Sequence, residues 1–154
     1  MCGIVGIVSK NDCINDIVSG LHSLEYRGYD SSGLVTINNN RFEYLKDIGK
    51  ISNLEKNLKK TNQKGNIVIA HTRWATHGKP SLKNSHPFIK NNCALVHNGI
   101  IENYIDLIKY YSINKKNLTS DTDSEVIAEI YNKLLNNFNN PIDAIKDLSK
   151  KIIG

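Results

Sequence analysis

The apolar positions of this sequence change period as it runs. Gly3 to Ser9 is a nearly unbroken β-branched run and predicts a strand. Ile14, Ile17, Val18, Leu21 and Leu24 then follow at helical spacing, which predicts an amphipathic helix closing near Arg27-Gly28, where glycine supplies a stop. Two further strand-like runs, Gly33 to Ile37 and Phe42 to Ile48, flank Asn38-Asn39-Asn40 and read as a hairpin. A short polar helix is predicted from Ile51 to Lys60. The apolar run from Asn66 to Ala70 predicts a buried strand that delivers His71-Thr72-Arg73-Trp74 just beyond its end. From there to Asn92 the composition, with Gly78, Pro80 and Pro87, is that of a loop. Cys93 to Val96 predicts one more strand, broken at Asn98-Gly99. Helices are expected from Tyr104 to Tyr111, from Thr122 to Phe138 and from Ile142 to Ile153, the last opened by Pro141 at its first turn. Strands early and helices late, without regular βαβ alternation, predict a layered α+β fold.

Composition narrows the function classes. The protein has 154 residues, enough for one ordinary core, and a formal net charge of +5. That charge is almost all scattered lysine. Nucleic-acid binding leaves a clustered basic stripe, and none forms here, so no nucleic-acid partner is expected. Arginine is scarce (Arg27, Arg41, Arg73) and Trp74 is the only tryptophan, so the places where these residues occur carry information. Cys2, Cys13 and Cys93 are odd in number and form no CxxC pair, which points away from a disulfide framework and from a zinc site. A reducing cytosol fits them best. No apolar stretch reaches the length of a membrane helix and no cleavable leader is evident, so a soluble, unexported protein without membrane contact is expected.

Four places carry candidate chemistry, each with a plain structural alternative. If Met1 is removed, Cys2 presents a thiol and a free α-amine on one residue. An α-amine of ordinary pKa about 7.7 to 8.0 can serve that thiol as a base, the N-terminal form of nucleophilic catalysis; the alternative is an inert thiol. His71-Thr72-Arg73-Trp74-Ala75-Thr76-His77-Gly78 is either a polar loop or a carboxylate site built on a guanidinium fork. His97-Asn98-Gly99 is either a tight turn or a pair of oxyanion donors, the Asn side-chain amide and the Gly backbone N–H. Thr122-Asp123-Ser124-Glu125 has the form of a capping box, which accounts for Thr122 and Glu125 and leaves Asp123 to hold an ammonium group.

Taken together, five segments resemble the class II glutamine amidotransferases, which are N-terminal-nucleophile hydrolases. They are Met1 to Gly6, Leu24 to Ser31, His71 to Gly78, Val96 to Asn103 and Ser120 to Glu125, covering the sequence from Cys2 to about Ile130. The most discriminating is Tyr26-Arg27-Gly28-Tyr29-Asp30-Ser31, which points to the branch of that family whose ammonia acceptor is fructose 6-phosphate. The resemblance implies a four-layer αββα fold, glutamine as substrate, and no cofactor or metal. It implies that Cys2 attacks the glutamine amide while its α-amine shuttles the proton, and that Asn98 and Gly99 form the oxyanion hole. It implies that Arg73, with Thr76 and His77, holds the substrate carboxylate, that Asp123 holds its ammonium, that Arg27 covers the nucleophile and that Trp74 gates ammonia. His86 and His97 are expected to be structural and His22 a helix-surface residue.

The sequence ends at Ile152-Ile153-Gly154 as if before another strand, so residues 2–154 are expected to be the N-terminal part of a glutaminase domain, C-terminally truncated. The resemblance places the fructose 6-phosphate site, and the contacts of a homo-oligomer, in domains beyond this sequence. Two alternatives stay open: a non-catalytic fragment, or a class II amidotransferase with another acceptor.

Overall fold

In the computed structural model, which describes residues 1–74 and 79–154, the protein forms two compact units. The first is Met1–Pro87 with Val96–Asn98; the second is Phe88–Leu95 with Gly99–Gly154.

The first unit is built on an antiparallel sheet of β1 (Gly3–Val8), β2 (Ser31–Asn38), β3 (Arg41–Ile48) and β4 (Ile67–Arg73), in the order β1-β4-β2-β3. Helices α1 (Ile14–Leu24) and α2 (Ile51–Thr61) pack on one of its faces. Register explains which side chains meet them. Val5, Ala70, Leu34 and Leu45 stand opposite one another in one row across all four strands, and side chains of such a row share a face. With Ile17, Leu21, Ile51 and Leu54, all sealed from solvent, they form the unit's core. Each such residue contributes roughly 1.5–3 kcal/mol through burial of its side chain. The next row, Ile4, His71, Gly33 and Lys46, points the other way. The β2–β3 hairpin turns on Asn39 and Asn40, with φ of 48° and 59°, the left-handed pair that a two-residue turn matching strand twist requires and that asparagine tolerates.

The second unit holds a two-stranded ribbon, β5 (Phe88–Lys90) and β6 (Cys93–Leu95), and helices α3 (Tyr104–Tyr110), α4 (Asp123–Leu135) and α5 (Pro141–Ser149). Leu107, Ile108, Val126, Ile130, Leu134, Ala144 and Leu148 make its core. Helix α5 begins at Pro141 as expected, with the Asn140 side chain accepting from the Ile142 N–H. Buried Glu125 accepts from the backbone N–H groups of Ser120 (2.6 Å) and Thr119 (2.9 Å) and from Lys90 Nζ (2.9 Å).

Several expectations need correction. Residues His71 to Arg73 are not beyond the strand but form its last three positions. Strand β5 lies in a stretch expected to be loop. Helix α1 ends at Leu24, and a 3-10 turn, Glu25–Arg27, follows. Gly28 is extended there, with φ of 179°, so it is no left-handed stop. The capping box does not form: Thr122 precedes α4 but its hydroxyl does not cap the helix, and its own N–H goes to the Ser120 hydroxyl, while Glu125 holds Thr119 and Ser120 instead. The α+β fold class stands, and the first unit displays one helix layer on one sheet.

Candidate active site

Pairing of β1 with β4 sets the site in the first unit. Gly3 lies opposite Thr72, so Cys2, one residue before β1, comes to the end of β4 where Arg73 and Trp74 emerge. The Trp74 N–H donates to Cys2 Sγ at 3.5 Å, and the thiol lies 3.8 Å from the Trp74 carbonyl oxygen. Arg73 is buried at the strand end; its carbonyl accepts from the Asp30 N–H at 3.0 Å, tying the Arg27–Asp30 segment to the same place. Gly28 is in contact there because it has no side chain: a Cβ would stand 2.8 Å from both the Arg73 carbonyl carbon and the Trp74 nitrogen. Arg27 Nη2 lies 3.7 Å from Met1 Sδ, beside the residue that precedes Cys2. The Trp74 indole, 44% exposed, meets the Tyr29 ring edge to face at 5.8 Å. Asn98 Nδ2 donates to the Cys2 carbonyl oxygen at 3.4 Å. Thus Cys2, Arg73, Trp74, Arg27 and Asn98 are brought together within one unit.

Gly99 and Asp123 belong to the second unit. Asp123 has local work: its carboxylate accepts from the Ile101 N–H (2.6 Å) and the Ser124 N–H (2.9 Å). Thr76 and His77 lie outside the described residues. His22 is on the helix surface, 3.3 Å from Glu55. Among the described residues, no group of three or more His, Cys, Asp or Glu side chains is arranged to hold a metal, and no helix is long and apolar enough to cross a membrane. The thiols of Cys13 and Cys93 are free and buried, and burial pushes the Cys93 thiol up to about 11.

Sequence reasoning missed His71. Its ring stacks on that of His86, centroids 4.1 Å apart and planes 19° from parallel, and both residues are buried. His71 Nε2 lies 3.1 Å from the His97 carbonyl oxygen, and the His97 N–H donates to His86 Nδ1 at 3.3 Å. Burial lowers the His71 pKa to about 4, against a smaller upward effect of the His97 hydrogen bond. Burial likewise lowers that of His86, reinforced by repulsion from His71 and Arg73. Both rings are therefore neutral near pH 7. The available signal was the alternation of β4, which puts His71 on the same face as Arg73.

Comparison with known proteins gives a consistent result. The family profile of the glutamine amidotransferases, class II, matches residues 39–153. The glutamine–fructose-6-phosphate aminotransferase (isomerizing) of Wigglesworthia glossinidia brevipalpis is 47% identical over 158 residues, covering 100% of this chain and 26% of that protein. The protein of the same name from Bartonella henselae is 44% identical over 154 residues, covering 100% of this chain and 25% of its own length. Among solved structures, the glutamine phosphoribosylpyrophosphate amidotransferase of B. subtilis, complexed with ADP and GMP, superposes with a TM-score of 0.79 at 26% identity, over 100% of this chain and 33% of that one. This chain spans about a quarter of the length of the curated relatives it matches.

Proposed function

This chain belongs to the class II glutamine amidotransferases, and from that premise we propose that it hydrolyses the side-chain amide of glutamine at Cys2, as the N-terminal part (residues 2–154) of a glutaminase domain. Removal of Met1 leaves Cys2 with its own α-amine as base. The thiol gives its proton to the amine, and Sγ attacks the amide carbon to form a tetrahedral oxyanion. The Asn98 side-chain amide and the Gly99 N–H donate to that oxygen. Collapse breaks the C–N bond, the α-ammonium returns its proton to the leaving nitrogen, and ammonia departs from a glutamyl thioester. Water, deprotonated by the same amine, then adds to the thioester carbon, and collapse releases glutamate and restores the thiol.

Arg73, with Thr76 and His77, pairs with the substrate α-carboxylate, where a planar guanidinium gives two parallel hydrogen bonds. Asp123 holds the α-ammonium. Arg27 covers the nucleophile, and Trp74 gates the ammonia path. The observation that carries this reading is the convergence, in one unit, of the Cys2 thiol with Trp74 N–H at 3.5 Å and of the Asn98 amide with the Cys2 carbonyl at 3.4 Å, at the strand end where Arg73 sits.

The acceptor we propose for the protein that carries this domain is fructose 6-phosphate, in a cytoplasmic amino-sugar synthase that assembles as a homo-oligomer. Full-chain identities of 44% and 47% to relatives of that name support it over another acceptor. The test is glutamate release from glutamine by the purified protein with Met1 removed. Activity abolished by Cys2→Ala is the expected result, and activity that survives Cys2→Ala overturns the assignment.

A further inference from the structure

Residue 97, which lies outside any helix or strand, is held in an unusual way. Its backbone N–H and its backbone carbonyl are each bonded by an imidazole, and the two imidazoles are stacked on each other. A carbonyl oxygen can only accept, so His71 Nε2 carries a proton. The N–H of His97 can only donate, so His86 Nδ1 is bare and the proton of the neutral ring is on Nε2. The backbone around the pair is shaped for it. Gly33 stands opposite His71 in the sheet, and a Cβ there would lie 2.2 Å from the His86 carbonyl oxygen, so His86 can reach His71 only because that position is glycine. His71 Nδ1 is buried with no hydrogen-bond partner among the described residues. A packing role alone would be met by an apolar side chain without that cost.

The peptide whose oxygen His71 holds joins His97 to Asn98. Fixing that plane fixes the N–Cα bond of Asn98, the axis about which its side chain is carried, and its amide is the group directed at Cys2. We propose that His71 and His86 are positioning residues, a stacked clamp on both polar backbone groups of His97 that aims the Asn98 amide at the reaction centre. This rests on the glutaminase reading above for its kinetic consequence, but the clamp itself does not. Neither ring touches the reacting atoms, and neither serves as acid or base.

Three measurements on the protein test this. In the unaltered protein, nitrogen NMR of the imidazoles should find His71 and His86 neutral with protons on Nε2; a proton on His86 Nδ1 overturns the clamp without any variant having to fold. Amide hydrogen exchange at His97 and Asn98, measured without substrate, should quicken in His71→Leu and in His86→Leu. Unchanged exchange at both amides overturns it whether or not glutamine is hydrolysed. For glutamine hydrolysis, His71→Leu should lower kcat by up to about 10²-fold with KM unchanged, the scale of a displaced catalytic group. His71→Gln, which keeps an N–H where Nε2 stood, should recover most of the loss. A loss confined to KM, or a glutamine variant no better than the leucine one, contradicts positioning. A wild-type protein without glutaminase activity would instead tell against the proposed function and leave the first two measurements to decide the clamp.

Discussion

Gly28 and Arg73 lie so close that a Cβ on Gly28 would stand 2.8 Å from the Arg73 carbonyl carbon. Gly28 has φ of 179°, which any residue adopts, so the requirement is for space and not for conformation. The atoms it would strike are backbone atoms of a strand end and cannot swing aside. Gly28→Ala should therefore cost about 1–3 kcal/mol in stability, the usual scale of overpacking, and should also lower kcat/KM for glutamine because Arg73 and Trp74 must move. Chemical denaturation and steady-state kinetics on the same preparation check both parts. An alanine variant equal to wild type in both would mean that the Arg27–Asp30 segment is not seated on the strand end.

Arg73 and Asn98 should fail differently when altered. Arg73→Lys keeps the charge but loses the planar fork proposed to hold the substrate both before and during reaction, so KM should rise with little change in kcat. Asn98→Ala removes one of the two proposed oxyanion donors and should slow kcat about 10²- to 10³-fold, a loss of roughly 2.7–4 kcal/mol in transition-state stabilisation. Steady-state kinetics separates them, and an Asn98→Ala variant altered only in KM would remove Asn98 from the oxyanion hole.

Acid should destabilise the two units through different groups. Burial alone would raise the Glu125 pKa, but donors at Ser120, Lys90 and Thr119 outweigh it and bring the carboxyl from 4.5 to about 2. Between those values the unfolded state binds a proton that the folded one does not, so this stability is complete above the unfolded value and is lost as pH falls toward about 2. His71 is depressed from 6.5 to about 4, so its loss sets in earlier, as pH falls below 6.5. Urea titrations across pH should show a decline below 6.5 that His71→Gln lessens, with His86 supplying the rest, and a decline at lower pH that Glu125→Gln flattens. A Glu125→Gln variant with unchanged slope below pH 4.5 would mean that its carboxylate is not held as described.

Glu125 has a second consequence. Lys90 Nζ is 2.9 Å from it and 3.5 Å from Glu129, with the Lys90 side chain only 13% exposed. Glu125→Ala removes the nearer partner of a largely buried cation and leaves Thr119 and Ser120 without their acceptor, so a cost of about 3–5 kcal/mol is expected. Restoring stability with Lys90→Met in the same protein would support the pairing; equal losses in the single and double variants would contradict it.

What could be read from the sequence was what is encoded locally. Asn39-Asn40 supplies the turn of the β2–β3 hairpin, helical spacing from Ile14 to Leu24 marks α1, and Pro141 opens α5. The site was legible as residue types: Cys2, Arg73, Trp74, Arg27 and Asn98 do converge. Features set by pairing or by long-range partners were not legible. Strand β5 is three residues directly after Pro87, too short to show a period. Glu125 has the spacing of a capping box but is drawn to Thr119, Ser120 and Lys90, partners that no local pattern announces. The His71–His86 stack depends on register across from Gly33 and on the space that glycine leaves, neither of which a run of letters displays.

Whether Cys2, freed of Met1, is the nucleophile can be read from the protein mixed with glutamine, quenched in acid and weighed intact and as its N-terminal peptide. The expected result is a population lacking Met1, carrying one glutamyl group as a thioester on Cys2 and accumulating before glutamate is released. Hydrolysis by a protein that retains Met1, or a glutamyl group found on any other residue, would contradict it.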